Sequence, residues 1–320
     1  MVEYAPEPLR DTDLFGNPID DPDWEPWMEP PSGWSEWEWK GPNRRLVVNG
    51  TPPPPALVSD IITKPDITGV MINRLGPEFR DLHWLEPEAL VASTMREFEV
   101  GSVGGVCDVR SLRWCRSLET VALSPRAQRQ VDFSDWSSML TALAITQGSP
   151  VRFQHIQRLE LLNSLSVDLP GRDVSYVGNL PVLEEVSFTA ARILTALPFR
   201  TGQPIKRLLV HQSPSLDLSF LSEIDSTLLE LQLDGVKRLE NSEALASCKR
   251  LRRIVLENCG PNVAVDDLLR LMSEGALSEV VIIGSLLPFP KEDGLRLASQ
   301  APPRVKVAIP PIADARVSRR

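Results

Sequence analysis

Three stretches decide how this chain folds: IKRLLVHQS at 205–213, LLELQLDGV at 228–236 and LRRIVLENC at 251–259, each starting 23 residues after the one before. In each, an apolar residue is followed three positions on by an apolar-x-apolar pair, Leu208/Val210, Leu231/Leu233 and Ile254/Leu256. In an extended strand, alternate side chains share a face, so the pair points to one side and its neighbours to the other. A strand this short cannot hide its apolar face alone. Copies stacked at a fixed period share one continuous core.

The same pair recurs outward in both directions, at Leu46/Val48, Val70/Ile72, Phe98/Val100, Val121/Leu123, Leu159/Leu161, Val186/Phe188, Val280/Ile282 and Val305/Val307. The steps between neighbours run from 22 to 28 residues, apart from one of 38 between Val121 and Leu159. Further copies of the longer motif are IQRLELLNS (156–164), LEEVSFTAA (183–191) and LSEVVIIGS (277–285). The linkers DVSYVGNLPVL (173–183) and DLSFLSEIDSTLL (217–229) share a start 44 residues apart, two 22-residue turns. With these segments the chain resembles the leucine-rich repeat family, whose signature is L-x-x-L-x-L-x-x-N/C. The resemblance is close from about residue 150 to 285 and looser from 44 to 150.

The resemblance implies an α/β solenoid, with a curved parallel sheet on the concave side and helices and loops on the convex side. At the ninth motif position stand Ser164, Ala191, Ser213, Val236, Cys259 and Ser285, and only Cys259 matches the family. The usual side-chain ladder is therefore mostly missing, and the turns must satisfy their backbone groups by other means. Helical spacing over 241–251, 265–275 and 291–300, with Ser, Asn or Asp available as caps, predicts the convex elements. The 38-residue step contains FSDWSSMLTALAITQG (133–148), where Trp136, Leu140, Leu143 and Ala144 predict a longer inserted helix.

If positions 4 and 6 point inward, positions 3, 5 and 7 line the exposed sheet face. Position 3 of seven strands then reads Arg158, Glu185, Arg207, Glu230, Arg253, Glu279, Arg304, alternating in sign at every step. Opposite charges on adjacent strands predict a register-setting ladder more readily than a ligand site. Position 5 brings Leu209, Val255 and Val281 to the surface, interrupted by Gln232, and position 7 adds His211, Asp234, Glu257 and Ile283. An apolar strip with polar edges is the expected form of a protein-binding patch.

Catalytic and cofactor motifs are missing from the sequence: there is no G-x-S-x-G, P-loop, G-x-G-x-x-G or H-E-x-x-H. GSVGG at 101–105 lacks the Gly-Lys-Ser/Thr ending of a phosphate loop and reads as a turn. The spacings of Cys107, Cys115, Cys248 and Cys259 fit no zinc site and predict reduced core thiols. No catalytic residue, cofactor or metal is expected. Residues 1–43 hold eleven acids against Arg10 and Lys40, so the whole net charge of -9 lies there and the rest is neutral. A neutral body predicts neither nucleic acid nor membrane as partner.

That acidic leader also carries Trp24, Trp27, Trp34, Trp37 and Trp39. A solenoid exposes core and strand edge at its ends. Trp34, Trp37 and Trp39, just ahead of the first strand core at Leu46, are placed to cap it. Trp24 and Trp27 are the better candidates for recruiting a partner. The sequence thus predicts residues 1–43 as a Trp/Pro-rich extension and cap, and 44–320 as the solenoid. The expected role is a cytoplasmic, bacterial, non-enzymatic module that binds another protein, a toxin, an effector or an assembly subunit. Immunity-type neutralisation, regulatory adaptor and structural subunit remain the three alternatives.

Overall fold

In the strands at 164–168, 185–189, 207–211, 230–234 and 279–283 the paired apolar residues are buried and the residues between them are partly exposed, so the period-2 reading of the repeat holds there in three dimensions. The computed structural model describes residues 36–38, 44–50, 54–75, 82, 84–103, 109–123, 130–146, 152–260, 263–284 and 288–309. The chain divides into two units, Met1–Pro125 and Arg126–Arg320.

In the first unit, β2 (Arg44–Gly50), β3 (Ile67–Leu75), β4 (Glu97–Val103) and β5 (Thr120–Leu123) pair in parallel in that order. Leu46, Val70, Phe98 and Val121 form one buried row, and Val48, Ile72, Val100 and Leu123 the next. β1 (Glu36–Glu38) runs antiparallel to β2, with Trp37 opposite Val47. The returns are α1 (Pro55–Ile62), α2 (Pro87–Ala92) and a 3-10 turn at Arg110–Trp114, which bury Val58, Ile62, Leu90 and Leu112. Gly101 to Val103 extend β4 rather than forming the turn predicted for GSVGG. On the sheet face Gly69 lies between Arg45 and Glu97, which form an ion pair. A Cβ at Gly69 would lie 3.1 Å from that of Glu97 and 3.2 Å from Cγ of Arg45. The missing side chain lets charges two strands apart meet.

In the second unit the main sheet is parallel throughout. Its order is β7 (Ala142–Ile145), β9 (Ser164–Asp168), β10 (Glu185–Thr189), β11 (Arg207–His211), β13 (Glu230–Asp234), β15 (Arg253–Glu257), β16 (Glu279–Ile283) and β17 (Lys306–Ala308). Two short parallel pairs lie outside it: β6 (Gln130–Asp132) with β8 (Arg152–Gln154), and β12 (Leu216–Asp217) with β14 (Leu239–Glu240). This repeated strand and return, in register over its length, is an α/β leucine-rich repeat solenoid.

Three local expectations are corrected. The described part of the segment 133–148, residues 133–146, is not a helix: it turns and then forms β7, whose four residues are all buried. The strand predicted around Leu159/Leu161 is instead β9, with Leu165 and Val167 as its buried pair. Leu159 remains in the core, but Leu161 is 46% exposed. These two corrections remove the 38-residue step, because Val121, Leu143, Leu165 and Val186 follow one another at 22, 22 and 21 residues. The last strand is also displaced by two, since β17 sets Val307, not Val305, opposite Val280.

A column of left-handed residues ends the strands: Leu169, Ala190, Gln212, Gly235, Asn258 and Gly284 all have positive φ. The backbone N–H groups of Leu169, Gln212, Gly235 and Asn258 donate to the neighbouring strands at 2.7–2.8 Å, to the carbonyls of Thr189, Asp234, Glu257 and Ile283. Three non-glycine residues, Leu169, Gln212 and Asn258, hold a conformation costing about 1–3 kcal/mol each while these bonds complete the ladder at the corner. At the ninth position, Ser213 donates to Leu194 and Ser215 carbonyls, Cys259 Sγ donates to the Leu233 carbonyl at 3.3 Å, and Ala191 and Val236 are buried. Backbone and hydroxyl bonds thus stand in for the missing asparagine ladder.

The returns lengthen from β9 onward. Sixteen residues separate β9 from β10 and hold a 3-10 turn at Ser175–Asn179, while the 21 and 22 residues after β15 and β16 hold full helices, α4 (Val265–Glu274) and α5 (Lys291–Gln300). Between them come a 3-10 turn at Leu218–Phe220 leading into α3 (Leu221–Ile224), and another at Ser242–Ser247. No side chain caps Ser242–Ser247, α4 or α5 in the predicted way; Asn241, Ala264 and Pro290 precede them. The two long helices carry acids in the first turn, Asp266 and Asp267, and Glu292 and Asp293, which complement the helix dipole.

Candidate functional site

The outward face of the second unit's sheet is a grid. Pairing puts Ser164, Glu185, Arg207, Glu230, Arg253, Glu279 and Lys306 in one row. Arg158 and Arg304, predicted as its ends, are elsewhere. Arg158 donates to the Ser134 carbonyl at 2.8 Å, and Arg304 Nη1 donates to the Gly275 carbonyl at 3.1 Å, anchoring the end of α4. Both miss the row for one reason: their strands start later than the sequence pattern suggested.

The row's charges do not form an unbroken ladder. Arg207 pairs with Glu185, while Glu279 accepts from Arg253 Nε at 2.8 Å and from Lys306 Nζ at 3.3 Å. The hydrogen bond from Arg253 is the main cause holding the Glu279 carboxyl below its ordinary range. Glu230 lies in register between Arg207 and Arg253, yet both guanidiniums turn away to the outer carboxylates. Among the described residues no cation lies within ion-pair distance of Glu230.

The second row reads Ala144, Ser166, Ser187, Leu209, Gln232, Val255, Val281 and Ala308. Leu209, Gln232 and Val281 are half-buried, but Val255 is only 5% exposed, so the apolar strip expected at Leu209, Val255 and Val281 is broken. Gln232 and Val281 flank Val255 on either side, and the buried Val255 lies between their half-buried side chains.

The third row brings His211, Asp234, Glu257 and Ile283 together on successive strands. His211 Nε2 lies 3.1 Å from Asp234 Oδ2. Asp234 and Glu257 are direct cross-strand partners of like charge, and Ile283 beyond them is 42% exposed. Trp24 and Trp27, the other predicted partner-binding residues, lie outside the described residues, as do the side chains of Trp34, Trp37 and Trp39.

One exposed feature went unread in the sequence. Met139, Leu161 and Val182 each lie three residues before a strand of the register Ala142–Ser164–Glu185 and are 48%, 46% and 39% exposed. They form an apolar rim beside β7, β9 and β10. Its signal was the 22- and 21-residue spacing, visible only once the 38-residue step is divided correctly.

The thiols of this unit are not presented for chemistry. Burial pushes the Cys248 thiol up to about 12 and the Cys259 thiol up to about 11, so both stay protonated inside the core. In the first unit burial likewise raises the Cys115 thiol. Among the described residues no group of three His, Cys, Asp or Glu could hold a metal ion, and no helix is long and apolar enough to cross a membrane.

Neither a protein-family model nor a curated protein sequence matches the chain. Solved structures do: one is an internalin (inlF) from Listeria monocytogenes, 16% identical, aligned over 82% of this chain and 86% of that one with a TM-score of 0.43. The assignment of the fold rests on the strand register.

Proposed function

We propose that this chain is a member of the leucine-rich repeat family and a non-enzymatic protein-binding module. Its partner engages the sheet face over β11, β13, β15 and β16. The reading is carried by Leu209, Val281 and Ile283, apolar side chains that reach solvent inside a frame of charged residues on a regular, rigid surface. Binding rather than turnover is favoured because the Cys248 and Cys259 thiols are buried and protonated and the sequence carries no G-x-S-x-G or H-E-x-x-H motif. Three unpaired buried thiols favour a reducing compartment, the cytoplasm.

Affinity capture from native cells tests this. A partner held by the wild type and lost with Leu209→Asn, with melting unchanged, supports the site; equal capture by both moves the partner elsewhere. The captured protein also separates the three uses. A single stoichiometric toxin-like protein means neutralisation, a signalling enzyme means an adaptor, and a multi-subunit complex means a structural subunit.

Residues 1–43 we assign as an extension whose C-terminal part caps the solenoid, with Trp24 and Trp27 as a second contact for a partner. The antiparallel pairing of β1 with β2 supports the cap, because it closes a parallel sheet edge with a strand of opposite sense. Removing residues 1–30 is expected to leave a soluble monomer by light scattering, and removing 1–42 to cause aggregation. Equal tolerance of both would sink the cap.

A further inference from the structure

We propose that the segment docking on this sheet face is basic, carrying two cationic side chains about 14 Å apart with an apolar residue between them. This rests on the sheet-face reading and adds the chemistry of the partner. Rows one and three of the grid hold six carboxylates, on Asp168, Glu185, Glu230, Asp234, Glu257 and Glu279, against the permanent cations of Arg207, Arg253 and Lys306. The cations are all spent on Glu185 and Glu279. Asp168 accepts from Thr189 Oγ1 at 3.1 Å, and Asp234 is met by His211.

Glu230 and Glu257 are left, and among the described residues neither has an ion-pair partner. Glu257 moreover faces Asp234 directly across the strands, an arrangement of like charges that costs stability in the free protein. A cation delivered by a partner would remove that cost as it binds.

The two carboxylates are four residues apart along the strand direction and one strand apart across it. At about 3.3 Å per residue and about 4.8 Å per strand, their backbones are about 14 Å apart. An extended segment spans nearly that distance between residues i and i+4, with residue i+2 on the same face. That middle side chain would lie over Gln232 and Val255, beside Leu209 and Val281. Arg-x-Leu-x-Arg is therefore the simplest pattern that fits, with the arginines meeting Glu230 and Glu257 in charge-assisted hydrogen bonds.

The test uses the full chain and two synthetic peptides that repeat Arg-x-Leu-x-Arg or Glu-x-Leu-x-Glu, followed by fluorescence anisotropy. The basic peptide is expected to bind, to weaken about tenfold with Glu257→Gln and again with Glu230→Gln, and to weaken in high salt. The acidic peptide is expected not to bind. Wild-type affinity of both glutamine variants, equal binding of the two peptides, or no binding of the basic one overturns the charge assignment. Weakening by Leu209→Asn alone would show the surface to be right and its charge partner wrong. Charge-dependent peptide binding alongside a native partner that ignores Leu209→Asn would instead overturn the proposed function and leave the basic preference standing.

Discussion

Strands β7, β9 and β10 share a register and a core with β11, β13, β15 and β16, yet the two groups show solvent different surfaces. Over the first group the first two rows hold the buried Ala142 and Ala144, then Ser164, Ser166 and Ser187 with Glu185 as their one charge, and the exposed apolar residues lie three positions before the strands at Met139, Leu161 and Val182. Over the second the rim positions are Pro204, Thr227, Arg250 and Ala276, and the face carries charges in one row and apolar residues in the next. Packing constrains only the inward positions, because each strand must fill the same slot between its neighbours. The outward positions are free of that demand. The fold is therefore written at positions 4 and 6 of the repeat, and the proposed binding surface at 3, 5 and 7.

The sharpest way to break this comparison is at the boundary between core and rim in β9. Leu165→Ala empties a fully buried slot and is expected to cost about 2–5 kcal/mol. Leu161→Ala trims a rim side chain and is expected to cost under about 1 kcal/mol. Urea denaturation of the two variants measures both. A larger loss for Leu161 would restore the strand at Leu159/Leu161 and dissolve the distinction between rim and core.

Those two leucines also mark where the sequence stopped being legible. From Val186 to Ile282 each repeat offers one way to place L-x-x-L-x-L, and the strands fall where the pattern puts them. Between 156 and 167 the leucines are so dense that two frames overlap, Ile156-Leu159-Leu161 and Leu162-Leu165-Val167, and only the stacking of neighbours chooses the second. Ala142–Ile145 has four apolar residues in a row, all of them buried, and a run without alternation reads as easily as helix. At the C-terminal end Val305, Val307 and Ile309 keep the same alternation after a slip of two, so the pattern cannot set the register there. The candidate patch was legible as a set of neighbours. Which guanidinium leans to which carboxylate was not, because side-chain direction along a row depends on packing that the repeat does not encode.

The smallest expected effect separates paired from unpaired charges within the second group. Glu279 is bonded to both Arg253 and Lys306, and its carboxyl is held below the ordinary value in the folded chain. A lowered folded pKa means that its contribution is present above the unfolded value and is lost as pH falls through the folded one. Glu279→Gln should therefore lower stability at neutral pH, by no more than about 1 kcal/mol for so exposed a pair. The gap from the wild type should close as the solution is acidified through and below the ordinary carboxylate range. Glu230→Gln breaks no ion pair among the described residues and is expected to shift neutral-pH stability by less than about 0.5 kcal/mol. Denaturation midpoints for both variants at pH 7 and pH 3 check the pair. If Glu230→Gln proved the more costly at pH 7, the charge row would be a continuous ladder after all, and Glu230 would be holding the sheet together instead of waiting for a partner.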